Sequence, residues 1–177
     1  NVGQARKEMG TRTIFNILGP VSNPSNATAA VIGVFSPTLT EPLAHSMKAM
    51  GVKRGMIVCG CDGMDEITLT GTTHISEIKD DNVTSYDINP ADYGLKITDA
   101  EQLKGGNGEE NAETTKAILA GKETGAKRDI VLLNAGAAIY CAGIADTLAE
   151  GIEKSKESID SGKALEVLNK LVEFTNR

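Results

Sequence analysis

A buried strand, a helix and a second buried strand are the first elements that the pattern of apolar and polar residues predicts. Ala29 to Phe35 is a short apolar run rich in β-branched residues, which is typical of a strand buried on both faces. Thr38 and Glu41 have the spacing of a capping box, which predicts a helix that Gly51 ends. The apolar residues of that helix recur on one face: Leu39, Leu43, Met47 and Met50. Gly55 to Gly60 has the composition of another buried strand, so we expect parallel pairing, with ligands beyond the carboxyl ends of both strands.

The pattern after this unit changes first to strands and then to helices. Ile67 to Ile78 alternates apolar and polar residues, and Val83 to Ile88 follows the turn Asp80-Asp81-Asn82, so we expect a strand pair or meander. Residues 89–108 are rich in turn residues, with a short helix around Asp99 to Leu103.

The remaining chain fits four helices, predicted at Glu109 to Leu119, Ile130 to Ala142, Asp146 to Ile159 and Lys163 to Phe174, with caps at Asp146 and Gly162. The helix of residues 130–142 is rich in alanine and glycine and should pack closely against its neighbours. The whole pattern predicts an α/β fold, with a largely parallel sheet flanked by helices.

Composition narrows the class of protein. At 177 residues with 40% hydrophobic side chains, the chain is long enough for one domain with a substantial core. The absence of a starting methionine suggests a piece of a longer chain, and no apolar run approaches the roughly 20 residues that cross a bilayer. The three cysteines, Cys59, Cys61 and Cys141, lack the spacing of a zinc or redox site, so we expect reduced, mostly buried thiols in a cytoplasmic protein. Residues 61–177 are strongly acidic, which disfavours nucleic acid as a partner.

An acidic loop directly after the second strand is a candidate for metal chemistry. The segment runs Cys61-Asp62-Gly63-Met64-Asp65-Glu66. Mg²⁺ typically uses one or two carboxylates, while waters and substrate phosphates fill its other positions. The loop could supply such a partial site, or it could be a solvated acidic turn, because Asp-Gly is common turn chemistry. Spacing alone leaves both interpretations open.

A basic segment near the start of the chain could bind an anion. Arg6, Lys7 and Arg12 lie within seven positions, and an arginine can stack on an aromatic ring and bond its carboxylate. Solvated side chains or local ion pairs would explain the same residues, and Gly19-Pro20 could be only a helix end and turn. His45 and His74 have no nearby cluster of ligand spacing, and no nucleophile motif appears, so covalent catalysis has no support.

A resemblance to the anthranilate phosphoribosyltransferases appears at these residues. The long segment Arg12-Thr13-Ile14-Phe15-Asn16-Ile17-Leu18-Gly19-Pro20-Val21-Ser22-Asn23-Pro24 closely resembles the signature of that family. The resemblance continues through Gly63-Met64-Asp65-Glu66, then Leu133-Asn134-Ala135-Gly136-Ala137-Ala138-Ile139-Tyr140, and Ser161-Gly162-Lys163-Ala164. It therefore spans essentially the whole chain. Departures are modest: Val21-Ser22 replaces the commoner Leu-Thr, and Cys61-Asp62 is less usual before the acidic pair.

The resemblance implies a fold, an activity and a set of sites. Members of the family are homodimers with a small helical domain and a larger α/β domain, related in fold to the nucleoside phosphorylases. They transfer phosphoribose from phosphoribosyl pyrophosphate to anthranilate in tryptophan biosynthesis. Residues 1–177 correspond to the C-terminal part of the α/β domain, truncated at its N-terminus, so the helical domain and the pyrophosphate loop are absent. Arg6 corresponds to an anthranilate-binding arginine, Gly19 and Pro20 line the anthranilate tunnel, and Asp65 and Glu66 match the acidic pair of the second of two Mg²⁺ ions.

Two other functions stay open at this point. A pyrimidine-nucleoside phosphorylase shares the general fold, but the segment from Arg12 to Pro24 argues against it. A nucleic-acid-binding relative without catalysis should have a basic surface, which the pI near 5.0 and the intact Asp65-Glu66 pair disfavour. We therefore expect a transferase in the complete protein and no activity in the chain by itself.

Overall fold

The described part of the chain forms a four-stranded sheet with helices on both faces. The computed structural model describes residues 17–176 together with Gly3, Glu8 and Gly10. The strands are β1 (Ala29–Gly33), β2 (Arg54–Gly60), β3 (Thr73–Lys79) and β4 (Asn82–Ile88). The helices are α1 (Leu18–Val21), α2 (Thr40–Ala49), α3 (Gly108–Leu119), α4 (Ala126–Cys141), α5 (Leu148–Asp160) and α6 (Lys163–Thr175), with 3-10 turns at Pro37–Leu39, Pro90–Tyr93 and Ala100–Leu103. The predicted α/β class is confirmed.

The sheet has the order β1-β2-β3-β4 and is mixed. β1 and β2 pair in parallel across α2, as the strand, helix, strand pattern predicted. β2 with β3 and β3 with β4 are antiparallel, so in the described part of the chain the expected largely parallel character is limited to one strand pair. β3 and β4 are antiparallel because Asp80 and Asp81, both with positive φ, join them in a tight turn. A turn of this length can only reverse the direction of the chain.

The helices cover the two faces of the sheet with separate hydrophobic cores. On one face Leu43, Ala44 and Met47 of α2 pack with residues of the strands, such as Ile57 and Ile78. On the other face α4 lies against the sheet and α5 packs on α4, and the larger core includes Met56, Val58, Ile75, Leu133 and Ile152. Burying each of the leucine, isoleucine, valine and methionine side chains contributes about 1.5–3 kcal/mol, so the two cores hold the ends of β1 and β2 in a fixed relation to α4.

The alanine- and glycine-rich helix does pack closely, as predicted. A Cβ atom on Gly136 of α4 would lie 2.7 Å from the backbone nitrogen of Ile152 in α5, and one on Gly151 would lie 2.3 Å from the carbonyl oxygen of Gly136. The two helix backbones are therefore in contact, which leaves no room for side chains at either glycine. This contact fixes the helix that faces the acidic loop.

Four helix starts differ from the sequence-based expectation, and the largest difference is at α4, which begins at Ala126 and not at Ile130. The capping box at Thr38 and Glu41 is wrong, because the Thr38 hydroxyl lies 2.9 Å from the Ser36 hydroxyl, and α2 begins two residues later without a side-chain cap. Thr147 caps α5 in place of Asp146 by accepting a hydrogen bond from Glu150 N. Asn107 and Glu110 form a capping box at α3 that the sequence pattern did not predict.

In the part of the chain that the structure describes, no helix is long and apolar enough to cross a membrane.

Candidate functional site

The acidic pair lies in an open cavity at the carboxyl ends of the parallel strands. β2 ends at Gly60, and the segment 61–72 then crosses to β3. The side chains of Asp65 and Glu66 are both exposed. They line a cavity of about 390 Å³ together with Gly33 at the end of β1 and Asn134 of α4. This is the position at which an α/β fold binds ligands, as the strand, helix, strand pattern predicted.

Asp62, the first acid of the same loop, has a different role from the pair. Its Oδ2 accepts hydrogen bonds from the Thr68 and Thr70 hydroxyls, both at 2.8 Å, and its Oδ1 accepts one from Met64 N at 3.0 Å. Desolvation of the carboxylate raises its pKa, but the bonds from Met64, Thr70 and Thr68 outweigh it, so the pKa of Asp62 is lowered from its ordinary value. Asp62 thus organises the loop internally, while Asp65 and Glu66 line the cavity.

Two glycines let the loop approach the strands. A Cβ atom on Gly33 would lie 1.5 Å from the carbonyl oxygen of Asp65, which is an impossible contact. A Cβ atom on Gly60 would lie 2.5 Å from Oδ1 of Asp62 and 3.0 Å from the side chain of Thr68. The backbone at the acidic pair is therefore pressed against the end of β1, and the end of β2 lies against the Asp62 cluster. Side chains at these two positions would push the loop away.

The electrostatics of the pair fit a cation. Although Glu66 is exposed as a residue, partial desolvation of its carboxylate raises its pKa, and the adjacent negative charge of Asp65 raises it further. Two neighbouring carboxylates that repel each other gain from a positive charge placed between them. Among the described residues no group of three or more His, Cys, Asp or Glu side chains could hold a metal ion. Carboxylates are hard oxygen ligands, of the kind that Mg²⁺ combines with water and phosphate oxygens.

The other predicted site residues are Arg6, Gly19 and Pro20. Arg6 lies outside the described residues, so its predicted contact with anthranilate stays a prediction. Gly19 is exposed in α1, whose last two residues are Pro20 and Val21, and it is not one of the residues that line the cavity of the acidic pair. The tunnel role of Gly19 and Pro20 also stays a prediction.

His74 contacts a carboxylate of the neighbouring strand, and the three cysteines form no disulfide. His74 Nδ1 lies 2.6 Å from Asp87 Oδ1, and the two residues are directly opposite each other in the β3 and β4 pairing. All three cysteines are free, and Cys59 and Cys141 are buried as expected, whereas Cys61 is exposed. Exposure of Cys61 follows from its place as the first residue of the loop, beyond the last residue of β2.

Comparisons with known proteins agree with the fold and with the sequence resemblance. Residues 1–165 match the family described as the glycosyl transferase family, a/b domain. The anthranilate phosphoribosyltransferase of Acetivibrio thermocellus is 51% identical over 171 residues, which cover 97% of this chain and 49% of that protein. The crystal structure of the Thermus thermophilus enzyme superposes with a TM-score of 0.91 at 40% identity, over 99% of this chain and 52% of that one.

A yeast enzyme solved with ligands is also similar. The anthranilate phosphoribosyltransferase of Saccharomyces cerevisiae in complex with PRPP and Mg superposes with a TM-score of 0.85 at 29% identity, over 95% of this chain and 48% of that one. The same enzyme has been solved in complex with 4-fluoroanthranilate. The chain spans about half the length of the relatives it matches. These relatives give no support to a phosphorylase or a nucleic-acid-binding protein, and we conclude that the chain belongs to the glycosyl transferase family with this a/b domain, alongside the anthranilate phosphoribosyltransferases.

Proposed function

We propose that the complete protein containing this chain is an anthranilate phosphoribosyltransferase of tryptophan biosynthesis. It transfers phosphoribose from phosphoribosyl pyrophosphate to the amine of anthranilate and gives N-(5-phosphoribosyl)anthranilate and pyrophosphate. The observation that carries the proposal is the exposed pair Asp65 and Glu66 in a cavity at the carboxyl ends of β1 and β2. Relatives that are 51% and 40% identical to the chain over the matched length are enzymes of that name.

The chain supplies the C-terminal part of the α/β domain in this proposal. Residues 1–177 would carry the acidic pair and part of the anthranilate site. The small helical domain and the main pyrophosphate-binding loop would belong to the half of the relatives' length that the chain does not span. We therefore expect no transferase activity from the 177 residues alone.

The chemistry requires alignment and charge neutralisation more than a protein nucleophile. The amine nitrogen of anthranilate forms a bond to the anomeric carbon of the ribose, the bond from that carbon to the pyrophosphate oxygen breaks, and the nitrogen loses a proton. Mg²⁺, when bound, neutralises the negative charge that grows on the departing pyrophosphate. Asp65 and Glu66 would hold the second of two Mg²⁺ ions, with Glu66 also able to reach the first. Arg6 would bind the carboxylate of anthranilate, and Gly19 and Pro20 would line the tunnel by which it enters.

The proposal includes an assembly and a compartment. We expect the complete protein to be a homodimer in the cytoplasm, with no nucleic acid or membrane as partner. The net charge of -6 and the pI near 5.0 support the exclusion of nucleic acid, because a phosphate backbone is bound by clustered basic residues. The three unpaired cysteines support a reducing compartment.

The decisive experiment uses the complete natural polypeptide that carries this sequence. Consumption of anthranilate fluorescence is measured with phosphoribosyl pyrophosphate while Mg²⁺ is varied, for the parent protein and for Asp65→Asn and Glu66→Gln. Each variant removes one charged ligand at constant size, so we expect the Mg²⁺ concentration at half-maximal rate to rise at least about tenfold, or 1.4 kcal/mol. Asp99→Asn makes the same change at an exposed carboxylate that gives no side-chain cap, and it should match the parent.

Two results would contradict the proposal. If both loop variants have the Mg²⁺ dependence of the parent, the acidic pair does not hold the metal. If the complete protein consumes no anthranilate under any Mg²⁺ concentration, the activity itself is wrong. Transfer catalysed by the isolated 177 residues would overturn the assignment of the pyrophosphate loop to the rest of the protein.

A further inference from the structure

One side chain of α4 holds the backbone directly after the acidic pair. The Asn134 side-chain amide donates from Nδ2 to the carbonyl oxygen of Ile67 at 2.9 Å, and its Oδ1 accepts from Ile67 N at 3.0 Å. The same Nδ2 donates to the carbonyl oxygen of Ile130 at 3.0 Å, which fixes the amide to its own helix. Both polar groups of the Ile67 backbone are therefore bound by one residue that is 67 positions away in the sequence.

This contact fixes the orientation of Glu66. The N–H group of Ile67 belongs to the peptide group that joins Glu66 to Ile67, so a bond to that N–H restrains the rotation of the Glu66 backbone. The Ile67 side chain is completely buried, which prevents the next residue from turning outward. On the opposite side the carbonyl oxygen of Asp65 is pressed against Gly33 of β1. The acidic pair thus lies between a strand end and a helix, with both sides in contact.

The chemistry of asparagine suits this position. An amide presents one donor and one acceptor side by side, which matches a backbone N–H and C=O, whereas a carboxylate has no donor. An amide is also uncharged, so Asn134 adds neither a third negative charge beside the pair nor a positive charge that would compete with a cation. Asn134 lines the same cavity as Asp65 and Glu66.

We propose that Asn134 is a positioning residue for divalent cation binding by Asp65 and Glu66, which it orients through the backbone of Ile67 without being a ligand. The inference rests on the metal role of the pair under the proposed function. It goes further by assigning a role to a residue of α4. Partners that orient metal ligands typically change metal affinity 10- to 100-fold when they are replaced.

The test measures Mn²⁺ binding without turnover. Mn²⁺ is titrated into the complete natural protein with phosphoribosyl pyrophosphate and no anthranilate, and free Mn²⁺ is read by electron paramagnetic resonance. Asn134→Ala should raise the Kd for Mn²⁺ at least about tenfold. Ser155→Ala is the matched control, because the Ser155 hydroxyl is buried and donates to the Leu132 carbonyl oxygen of the same helix at 2.9 Å. It removes a buried hydrogen bond between α4 and α5 that does not involve the acidic loop, and it should leave the Kd for Mn²⁺ unchanged.

A second measurement needs no variant, so it remains decisive if Asn134→Ala does not fold. Hydrogen exchange of the Ile67 amide is followed in the parent protein with and without Mn²⁺. Prior orientation by Asn134 requires slow exchange already in the absence of the metal. If the amide exchanges as fast as a free loop and is protected only when Mn²⁺ binds, the inference is overturned.

The outcomes separate the two proposals. Loss of Mn²⁺ binding in Asp65→Asn with unchanged binding in a folded Asn134→Ala would reject the positioning role and keep the proposed function. Unchanged binding in both Asp65→Asn and Glu66→Gln would reject the proposed function and the inference with it. Equal weakening by Asn134→Ala and Ser155→Ala would show that Asn134 acts through stability alone, and it would also reject the inference.

Discussion

The hydrogen bonds of Asp62 predict how strongly the acidic loop depends on one carboxylate. Asp62→Asn keeps an oxygen for Met64 N and replaces the oxygen that accepts from the hydroxyls of Thr68 and Thr70 at 2.8 Å. A hydrogen bond to a charged group contributes about 1.5–3 kcal/mol, and the exposure of Asp62 places these two at or below the low end of that range. The asparagine amide can still make weaker hydrogen bonds with the two hydroxyls. We therefore expect the free energy of opening the loop to fall by about 2 kcal/mol. Asp62→Ala, which removes all three bonds, should cost about 3 kcal/mol.

Hydrogen exchange measured by mass spectrometry on a peptide covering residues 60–72 reads this opening directly. A cost of about 2 kcal/mol corresponds to exchange about 30-fold faster. Asp99→Asn, which changes an exposed carboxylate outside the loop, should leave the same peptide unaffected. Equal protection in the parent protein and in Asp62→Asn would refute the reasoning, because the loop would then be held by its other contacts.

The pH dependence gives the same prediction an independent check. The pKa of Asp62 in the folded protein lies below its ordinary value of 3.8, so its charge stabilises the loop at every pH above that value. The stabilisation is lost only as the pH falls through the lowered pKa. The difference between the parent and Asp62→Asn should therefore be constant from about pH 5 to pH 8 and shrink below about pH 4. A difference that fades between pH 7 and pH 5 would point to another titrating group.

One further substitution tests the close contact at Gly33, and one chemical label tests the exposure of the thiols. Gly33→Ala places a Cβ atom 1.5 Å from the carbonyl oxygen of Asp65, so the loop must move, and Mn²⁺ binding to the complete protein should weaken at least about tenfold. Gly108→Ala is the control, because a Cβ atom there meets nothing within 4 Å, and unchanged Mn²⁺ binding in Gly33→Ala would contradict the geometry. Iodoacetamide at neutral pH should modify the exposed Cys61, whereas burial raises the pKa of Cys141 to about 12 and should protect it until unfolding. Mass spectrometry of native and unfolded protein distinguishes the two, and equal labelling of both thiols in the native state would be the contrary result.

The strand, helix, strand unit was predictable because both of its signals are local. Apolar runs of β-branched residues predicted both strands, and β2 is buried as expected, whereas all five residues of β1 are only half-buried. The helix between them places Leu43 and Met47 of its predicted face in the core, whereas Met50 is exposed. The turn at Asp80 and Asp81 was also predictable, since aspartate tolerates positive φ better than most residues do. Such local preferences are sufficient to place the acidic loop at the end of β2.

The segment 67–72 was predicted as strand because its residues alternate in polarity, yet β3 begins only at Thr73. The threonine hydroxyls explain the difference. Thr68 and Thr70 donate to Asp62, and Thr73 Oγ1 accepts from Thr68 N, so side chains occupy groups that a strand partner would otherwise bind. Burial in this loop does not follow the alternation, because Ile67, Thr68 and Leu69 are all fully buried.

The division of labour among the three acids of the loop could not be read from their spacing. Asp62, Asp65 and Glu66 lie within five positions, and each is a chemically adequate ligand for a hard cation. What separates them is distant in the sequence: hydroxyls on the far side of the loop occupy Asp62, while Gly33 and Asn134 fix the backbone on either side of the pair. A local motif can therefore name the candidates, but only the contacts between β1, the loop and α4 decide which carboxylates remain available to a ligand. For that reason Asn134, which carries no charge, is the residue whose replacement most directly tests how the loop backbone positions the pair.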